Sequence, residues 1–200
     1  IDAMGGEDSP YKVLKGTEIF LQNEKNTKII FFGDEIIINQ NIKKNNFKIF
    51  NFEIINTKDV ISDEDSVNTI LRSKKNSSIY KALEFAKNNE KSGFVSSGST
   101  AAIMVLSRLH MGMIEGIDRP AICSLVPNKK NYSLMLDLGA NVIVSGSNLF
   151  QFALMGFCYY SIINKNTKPK IGILNIGTEN NKGLEFLQEA ADLILSSFLK

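Results

Sequence analysis

The sequence has few of the residues from which metal sites and disulfide frameworks are built. Among 200 residues there is no tryptophan, one histidine (His110) and two cysteines (Cys123 and Cys158). The cysteines are far apart, and no cysteine or histidine stands at a metal-ligand spacing from them, so the sequence predicts neither a disulfide framework nor a zinc site. We expect both thiols to fill a core in a reducing compartment.

The sequence also lacks a strong charge of one sign and a long apolar run. Lys and Arg number 23 against 21 Asp and Glu, a net charge of +2, and no basic run exceeds two residues. A mainly electrostatic nucleic-acid binder is therefore not expected. The longest apolar stretch, 149–163, is broken by Gln151 and Gly156, and it is shorter than the roughly 20 residues that cross a bilayer. We expect no membrane span and see no signal peptide.

Short apolar runs alternate with segments of helical period along the whole chain. This pattern is typical of βα units and a largely parallel sheet, and it predicts one α/β domain over residues 1–200. Ser9 is expected to cap the first helix, with Pro10 at its first position. The predicted helices cover 10–23, 34–42, 66–73, 77–89, 101–110, 149–164 and a last segment from 184. The predicted strands cover 28–32, 47–53, 93–96, 121–126, 134–138 and 170–175.

Four turns rich in small and polar residues follow predicted strands, and the first of them follows the tail of a buried strand with which the sequence opens. They are 2–6, 97–100, 137–141 and 177–183. Ligands of open α/β sheets bind where the carboxyl ends of the strands lead into helices, so convergence of these turns on one edge would make a site. Asp2 and Asp137 each end a strand, where a carboxylate serves catalysis or stabilises the next turn.

The turn at 96–100 has the composition of an anion site. A glycine with hydroxyl neighbours at a helix N-terminus offers free N–H and O–H donors, and phosphate is the obvious occupant. The alternative is an ordinary Ser or Thr helix cap with glycine for turn geometry. Lys182 stands between glycines in the loop 177–183, but the P-loop spacing is missing, and no dinucleotide fingerprint or nucleophile elbow occurs. We expect His110 to be structural.

Two pairs of lysines complete the candidate residues. Lys74 with Lys75, and Lys129 with Lys130, form small basic patches. Such pairs are typical of a solvated surface, although either pair suits an acidic partner protein. Arg119, before a proline and a predicted strand, is a candidate to fix a loop or to hold an anion.

Taken together and in order, the turns resemble the PlsX family of phosphate acyltransferases. The resemblance rests on six blocks that span nearly the whole chain, namely IDAMGG at 1–6, KKNSS at 74–78, SGST at 97–100, GIDRPA at 116–121, LDLGAN at 136–141 and KPKIGILNIGTE at 168–179.

The resemblance implies a three-layer α/β/α Rossmann-like sandwich, related to phosphotransacetylases and isopropylmalate dehydrogenases. It implies transfer of a long fatty acyl group from acyl carrier protein to inorganic phosphate. The acyl phosphate product would feed the membrane glycerol-3-phosphate acyltransferase of phospholipid synthesis. It further implies a homodimer in the cytoplasm, associated peripherally with the inner membrane. No metal and no organic cofactor is expected, since phosphate attacks the thioester directly.

The resemblance also assigns roles to residues. Phosphate must be desolvated and held beside a thioester carbonyl, which calls for donors and cations. Ser97, Gly98, Ser99 and Thr100 are the expected phosphate cradle, with Lys182 or Arg119 supplying positive charge. Asp2, Asp137 and Asn141 are expected to order this cradle or to polarise the reacting groups. The lysine pairs 74–75 and 129–130 are candidates for docking the carrier protein.

The chain departs from the family pattern in two blocks. The first block usually continues Asp-His-Ala-Pro, where this chain has Glu7-Asp8-Ser9-Pro10. The glycine turn usually reads Ala-Gly-Asn-Thr-Gly-Ala, and Ser97, Ser99 and Ala101 replace three of its members. Family chains continue well past position 200. Two alternatives therefore stay open: a phosphotransacetylase-like enzyme that uses acyl-coenzyme A, and a non-catalytic scaffold of lipid synthesis.

Overall fold

The computed structural model of the chain describes residues 1–165, 168–177, 179 and 182–199. These residues form an α/β protein with two units, Ile1–Gly112 and Met113–Lys200. The α/β class predicted from the alternating pattern is confirmed, whereas the single domain over 1–200 stays a prediction. The elements of the first unit are α1 (Tyr11–Asn23), β1 (Ile29–Gly33), α2 (Glu35–Asn45), β2 (Phe52–Asn56), α3 (Val67–Ser73), α4 (Ser78–Asn88) and α5 (Thr100–Met111).

The sheet of the first unit is parallel. β1 pairs with β2 in a register that sets Ile29 opposite Phe52. On the other side of β1 the first residues of the chain run parallel to it, with Asp2 bridged to Phe32. The Asp2 N–H donates to the carbonyl oxygen of Val95 at 2.9 Å. The first residues therefore lie between β1 and the segment around Val95, which brings two candidate turns together.

Two buried clusters hold the first unit together. Side chains of α1, β1 and α2, including Leu14, Phe31 and Ile38, form one cluster. Ile70, Leu83 and Leu106, from α3, α4 and α5, belong to the other. Each fully buried side chain of this size contributes about 1.5–3 kcal/mol of hydrophobic stabilisation. The loops at the strand ends are thus connected to helices and strands whose side chains are tightly packed.

Most helices of the first unit begin as the sequence predicts. Asp34 accepts a hydrogen bond from the Ile37 N–H, and Ser66 and Ser77 cap α3 and α4 in the same way. The expectation for Ser9 is wrong. Pro10 takes the N-cap position of α1 and no described side chain caps that helix, because the Ser9 hydroxyl donates to the carbonyl oxygen of Gly5 instead.

The second unit contains a hairpin and two helices. Its elements are β3 (Cys123–Pro127), β4 (Tyr132–Leu136), α6 (Gly146–Ile163) and α7 (Glu185–Leu195). β3 and β4 are antiparallel, with Cys123 opposite Leu136. Ser145 and Asn148 form a reciprocal capping box that starts α6. α6 packs against β4 and α7.

Several predicted elements differ from the structure. The strand expected at 47–53 lies at 52–56, because Asn46 and Asn51 both adopt φ of 53° and interrupt an extended backbone there. Residues 93–96 are not a strand, although Val95 accepts the bond from Asp2. Residues 170–175 form no strand either, since no described backbone group pairs with them in a ladder.

The predicted burial of the cysteines is wrong. Both Cys123 and Cys158 are exposed, because β3 is open to solvent along its length and Cys158 lies on the outer side of α6. Within the described ranges, no helix combines the length and the apolar character needed to cross a bilayer.

Candidate functional site

The first candidate site lies where the turns at 2–6 and 96–100 meet in the first unit. The Asp2 side chain is fully buried. Its Oδ1 accepts hydrogen bonds from the N–H groups of Met4 and Gly5, both at 3.1 Å. Its Oδ2 accepts a bond of 2.6 Å from the hydroxyl of Ser96. The carboxylate therefore joins two turns that are 94 residues apart in sequence.

Glycine is required where these turns approach each other. A Cβ on Gly5 would overlap Asp2 Oδ2 and would lie 2.9 Å from both the Cα and the N of Gly98. A Cβ on Gly98 would lie 3.2 Å from Ser96 Oγ and 3.3 Å from Asp2 Oδ2. Gly6 adopts φ of +84°, and its Cβ would lie 2.5 Å from the carbonyl oxygen of Ser97. The two turns thus touch through their backbones.

The turn at 96–100 opens into the N-terminus of α5. Ser99 is its N-cap residue, and none of the side chains that the structure describes caps the helix. The Ser97 hydroxyl is occupied, because it donates to the carbonyl oxygen of Gly5 at 2.9 Å. Ser97 and Thr100 are exposed, and Gly98 and Ser99 are half-buried. The first N–H groups of α5 and the Ser99 and Thr100 hydroxyls are therefore the donors that the turn can offer to an anion.

Ser96 was not among the predicted site residues. It contacts both Asp2 and, through an N–H···O bond of 3.0 Å, the backbone of Gly98. The sequence signal for it is its place as the first residue of the glycine turn 96–100, where serine is common. Its role depends on Asp2, which is 94 residues away in sequence, and local sequence patterns do not reveal such a partner.

A second cluster lies in the second unit around Asp137. Asp137 Oδ1 accepts from the Ile122 N–H at 2.9 Å, and Oδ2 accepts from the Asn141 N–H at 2.8 Å. The Asn141 side-chain amide bonds both Asp137 Oδ2 and the carbonyl oxygen of Pro120. Desolvation raises the pKa of Asp137, but the bonds from Ile122, Asn141 and Ala140 outweigh it and hold that pKa below its usual value. Asp137 is an ionised organiser of its turn.

The two predicted cations of this unit are placed differently. Arg119 is exposed, and its Nη1 donates to the carbonyl oxygen of Ile143 at 2.8 Å, beside the Asp137–Asn141 turn. Lys182 is exposed and would contact a Cβ on Gly177 through its own side-chain carbons. Three other residues of the predicted loop, 178, 180 and 181, lie outside the described residues. Arg119 therefore adjoins the Asp137 cluster, while Lys182 belongs to the loop that follows residue 175.

An apolar cavity of about 680 Å³ lies within the second unit. The whole of β4 lines it, together with α6, α7 and residues 168–174. Apolar side chains such as Leu134, Phe152 and Ile171 form most of the wall, and Asp137, Asn141 and Lys170 are among its polar members. A cavity of this size lies in the range of small-molecule sites, which are mainly apolar with a few polar groups.

The predicted docking lysines are at the surface of their units. Lys74 Nζ donates to the carbonyl oxygen of Val60 at 2.9 Å and lies 3.6 Å from Asp65, so its charge is partly used within the protein. Lys75, Lys129 and Lys130 are exposed. The last two stand in the turn between β3 and β4.

His110 is structural, as the sequence predicts. It is 8% exposed and lies edge-on to Tyr80, with 4.5 Å between the ring centroids. Its Nε2 has no hydrogen-bond partner among the described residues, and burial lowers its pKa. Across the described residues, no group of three or more His, Cys, Asp and Glu side chains is arranged to hold a metal ion.

Comparison with known proteins places this arrangement in a family. A family model described as "Fatty acid synthesis protein" matches residues 1–198. The phosphate acyltransferase of Caldicellulosiruptor bescii is 38% identical over 197 residues, which cover 98% of this chain and 59% of that protein. The phosphate acyltransferase of Clostridium tetani is 38% identical over 199 residues, covering 100% of this chain and 60% of the relative. That of Pelagibacter ubique is 39% identical over 189 residues, covering 94% and 56%.

The chain thus spans about three fifths of the length of these relatives. The match nevertheless includes both candidate clusters and nearly every described residue. The chain belongs to the PlsX family of fatty acid synthesis proteins.

Proposed function

We propose that the full-length protein carrying this chain is a phosphate acyltransferase that moves a long fatty acyl group from acyl carrier protein to inorganic phosphate. The family match and the names of the relatives support the reaction class. The product is an acyl phosphate, which a membrane glycerol-3-phosphate acyltransferase consumes in phospholipid synthesis. The reaction uses no metal ion and no organic cofactor.

One observation carries the proposal: the glycine turn before α5 is fixed by Asp2 and Ser97 while its outer donors are directed to no side-chain cap. A helix N-terminus with unsatisfied N–H groups attracts an anion through both hydrogen bonds and the helix dipole. Phosphate binds there to the N–H groups that follow Gly98 and to the hydroxyls of Ser99 and Thr100. Ser97 contributes by tying the turn to Gly5.

The chemistry requires only positioning and charge stabilisation. An oxygen of hydrogen phosphate attacks the thioester carbonyl carbon, a C–O bond forms, and the C–S bond breaks. The proton that hydrogen phosphate carried ends on the departing sulfur, so atoms and charge balance without a covalent enzyme intermediate. Held donors beside the carbonyl supply the largest part of such catalysis.

The Asp137 cluster and the cavity beside it suit the other substrate, the fatty acyl group. Asp137 and Asn141 form a rigid turn at the wall of the apolar cavity, and Arg119 adjoins it. We assign the acyl chain to this cavity, whose wall follows β4 for about 17 Å at the usual rise of a strand. Arg119 or Lys182 supplies positive charge to the phosphate or the developing oxyanion.

The remaining family features belong to the same proposal. Lys75, Lys129 and Lys130, with the partly engaged Lys74, dock the acidic carrier protein. The full-length protein is a homodimer with a three-layer α/β/α sandwich in each subunit, related to phosphotransacetylases and isopropylmalate dehydrogenases. It works in the cytoplasm and associates peripherally with the inner face of the membrane.

The test is a trapping assay on the full-length protein. Long-chain acyl carrier protein and inorganic phosphate are incubated with it, and hydroxylamine converts any acyl phosphate to the acyl hydroxamate. We expect hydroxamate that depends on both phosphate and enzyme. Omission of phosphate is the matched control, because hydroxylamine also attacks thioesters directly.

Two outcomes would replace the proposal. Product formation with short-chain acyl-coenzyme A and not with the carrier protein would identify a phosphotransacetylase-like enzyme. Binding of the carrier protein without phosphate-dependent product would identify a scaffold that has lost turnover, consistent with the altered residues Ser97, Ser99 and Ala101 of the glycine turn.

A further inference from the structure

A continuous chain of hydrogen bonds connects the buried carboxylate of Asp2 to the glycine turn. Ser96 Oγ donates to Asp2 Oδ2 at 2.6 Å, and the same oxygen accepts from the Gly98 N–H at 3.0 Å. The Ser96 hydroxyl donates its one proton to the carboxylate, and its oxygen accepts from the backbone N–H, which can only donate. The Ser96 hydroxyl is therefore the one group that satisfies both neighbours at once.

The surroundings of Asp2 leave this carboxylate little freedom. Its other oxygen accepts from two backbone N–H groups, those of Met4 and Gly5, and its side chain is 0% exposed. A general base must reach the proton that it removes within hydrogen-bond distance. Asp2 instead faces the protein on both oxygens, so it does not meet that condition.

The turn depends on this chain for its conformation. The bond to Ser96 directs the Gly98 N–H inward, so that the donors left for a ligand begin with Ser99 and the first turn of α5. The close approach of Gly5 and Gly98 leaves no room for a side chain at either position, and the Ser97 hydroxyl, which donates to the carbonyl oxygen of Gly5, also holds the turn. Loss of the hydroxyl would leave both the Gly98 N–H and one oxygen of the buried Asp2 carboxylate without this partner.

We propose that Ser96 and Asp2 are positioning residues for phosphate: Asp2 acts through Ser96 to fix the glycine turn, and neither residue removes a proton. The inference rests on the function proposed above, and it assigns the Ser96 hydroxyl to the binding of one substrate. Two roles were open to Asp2: ordering the cradle or polarising the reacting groups. The inference assigns it the first.

The experiment compares Ser96→Ala, Ser96→Thr and Asp2→Asn in the full-length protein. For Ser96→Ala we expect the KM for phosphate to rise about 10-fold or more, the loss typical of one hydrogen bond to a charged group. The kcat at saturating phosphate and the KM for the acyl donor should stay within about threefold. Ser96→Thr restores the hydroxyl and should recover most of the affinity. Ser92→Ala is the matched control, because the Ser92 hydroxyl donates to the local carbonyl oxygen of Asn89, away from the glycine turn in sequence.

Asp2→Asn separates positioning from base catalysis. We expect it to raise the KM for phosphate as Ser96→Ala does, with the pH profile of kcat unchanged. A fall of kcat in Asp2→Asn together with loss of an ionisation from that profile would overturn the inference. An unchanged KM for phosphate in Ser96→Ala would also overturn it.

Titration calorimetry with inorganic phosphate gives a reading that does not need turnover. The wild-type protein is expected to bind phosphate, and Ser96→Ala to bind it about 10-fold or more weakly. Equal binding by the two proteins contradicts the inference. A wild-type protein that binds phosphate but forms no acyl phosphate refutes the proposed function and leaves the role of Ser96 in phosphate binding supported. If Asp2→Asn does not fold, Ser96→Ala and Ser96→Thr decide the outcome.

Discussion

Gly5 and Gly98 are in backbone contact: a Cβ built on Gly5 would lie 2.9 Å from both the Cα and the N of Gly98. The two glycines belong to loops at opposite ends of the first unit's sequence. Their contact sets the separation between the Asp2 carboxylate and the turn that precedes α5, so the site tolerates no added atom at this point.

Gly5→Ala should destabilise the first unit strongly, because the new methyl group overlaps Asp2 Oδ2 and presses on Gly98. We expect a loss of about 2–4 kcal/mol in the free energy of unfolding, since overpacking and a broken buried hydrogen bond add. Urea unfolding followed by circular dichroism measures it. Gly16→Ala is the matched control: Gly16 lies exposed in α1, and no described atom lies within 4 Å of a Cβ added there, so alanine should stabilise by up to about 1 kcal/mol. Equal effects of the two substitutions would refute the close contact.

Asp137→Asn should loosen the turn at 137–141 and make stability less dependent on acid pH. Several N–H groups converge on the carboxylate, so we expect a loss of about 1–2 kcal/mol at neutral pH. The folded-state pKa lies below the ordinary 3.8. The stabilisation is therefore complete above that value and is lost as pH falls through the folded pKa. Urea unfolding at pH 7 and at acid pH tests this.

The difference between wild type and Asp137→Asn should shrink as the wild-type carboxyl is protonated. Asp192→Asn serves as the control, because Asp192 is exposed on α7. A constant difference at all pH values would mean that the charge of Asp137 contributes nothing.

His110 should make the first unit less stable in mild acid. Burial lowers its pKa below 6.5, so the unfolded chain binds a proton more readily than the folded one. Stability therefore falls as pH drops through the unfolded value near 6.5, and the decline ends below the folded pKa. Glu84 opposes the shift, and Lys81 and Lys87 reinforce it.

Thermal unfolding between pH 7.5 and 5 measures this dependence. In His110→Phe the ring still packs on Tyr80 and cannot titrate, so that part of the pH dependence should disappear. A Tm that varies with pH in the same way in both proteins would assign the effect to other groups.

Ala153→Phe should change the acyl-chain preference of the full-length enzyme. Ala153 lies on α6 and lines the apolar cavity, so a benzyl group there takes the place of substrate methylenes. Each buried methylene is worth about 0.8 kcal/mol. Loss of room for roughly two of them lowers kcat/KM for the longest donors about tenfold relative to shorter ones.

Cys158→Phe places the same ring on the exposed side of α6 and should leave the preference unchanged. Steady-state kinetics with a series of acyl carrier protein donors supplies the measurement. Parallel losses for long and short donors in Ala153→Phe would place the acyl chain elsewhere.

The sequence was informative wherever structure depends on neighbouring residues. The helix starts predicted at 34 and 77 agree with α2 and α4, where the side chains of Asp34 and Ser77 bond N–H groups three residues ahead. The strand at 47–53 was misplaced because its alternating apolar residues carry no sign that Asn51 takes a left-handed backbone conformation. Helix caps, which depend on residues close in sequence, can be predicted from the residue types. The backbone conformation of a single asparagine cannot.

The two turns of the candidate site could be predicted from the sequence, but the hydrogen bonds between them could not. The small and polar residues at 2–6 and 97–100 marked both turns, and the structure places them in contact. The bond from Ser96 to Asp2 spans 94 positions, and no periodicity or motif links residues at that separation. The convergence of the turns at 137–141 and 177–183 with the first site stays a prediction.

The pairing of the Asp2 segment with both β1 and Val95 has a consequence for the newborn polypeptide. A ribosome adds about 5–20 residues per second, so Val95 is synthesised on the order of 5–20 s after Asp2. During that time the side of the segment that pairs with Val95 has no backbone partner, and Asp2 has no Ser96 hydroxyl to accept from. The glycine turn can therefore assume its working form only after the first unit has almost entirely emerged.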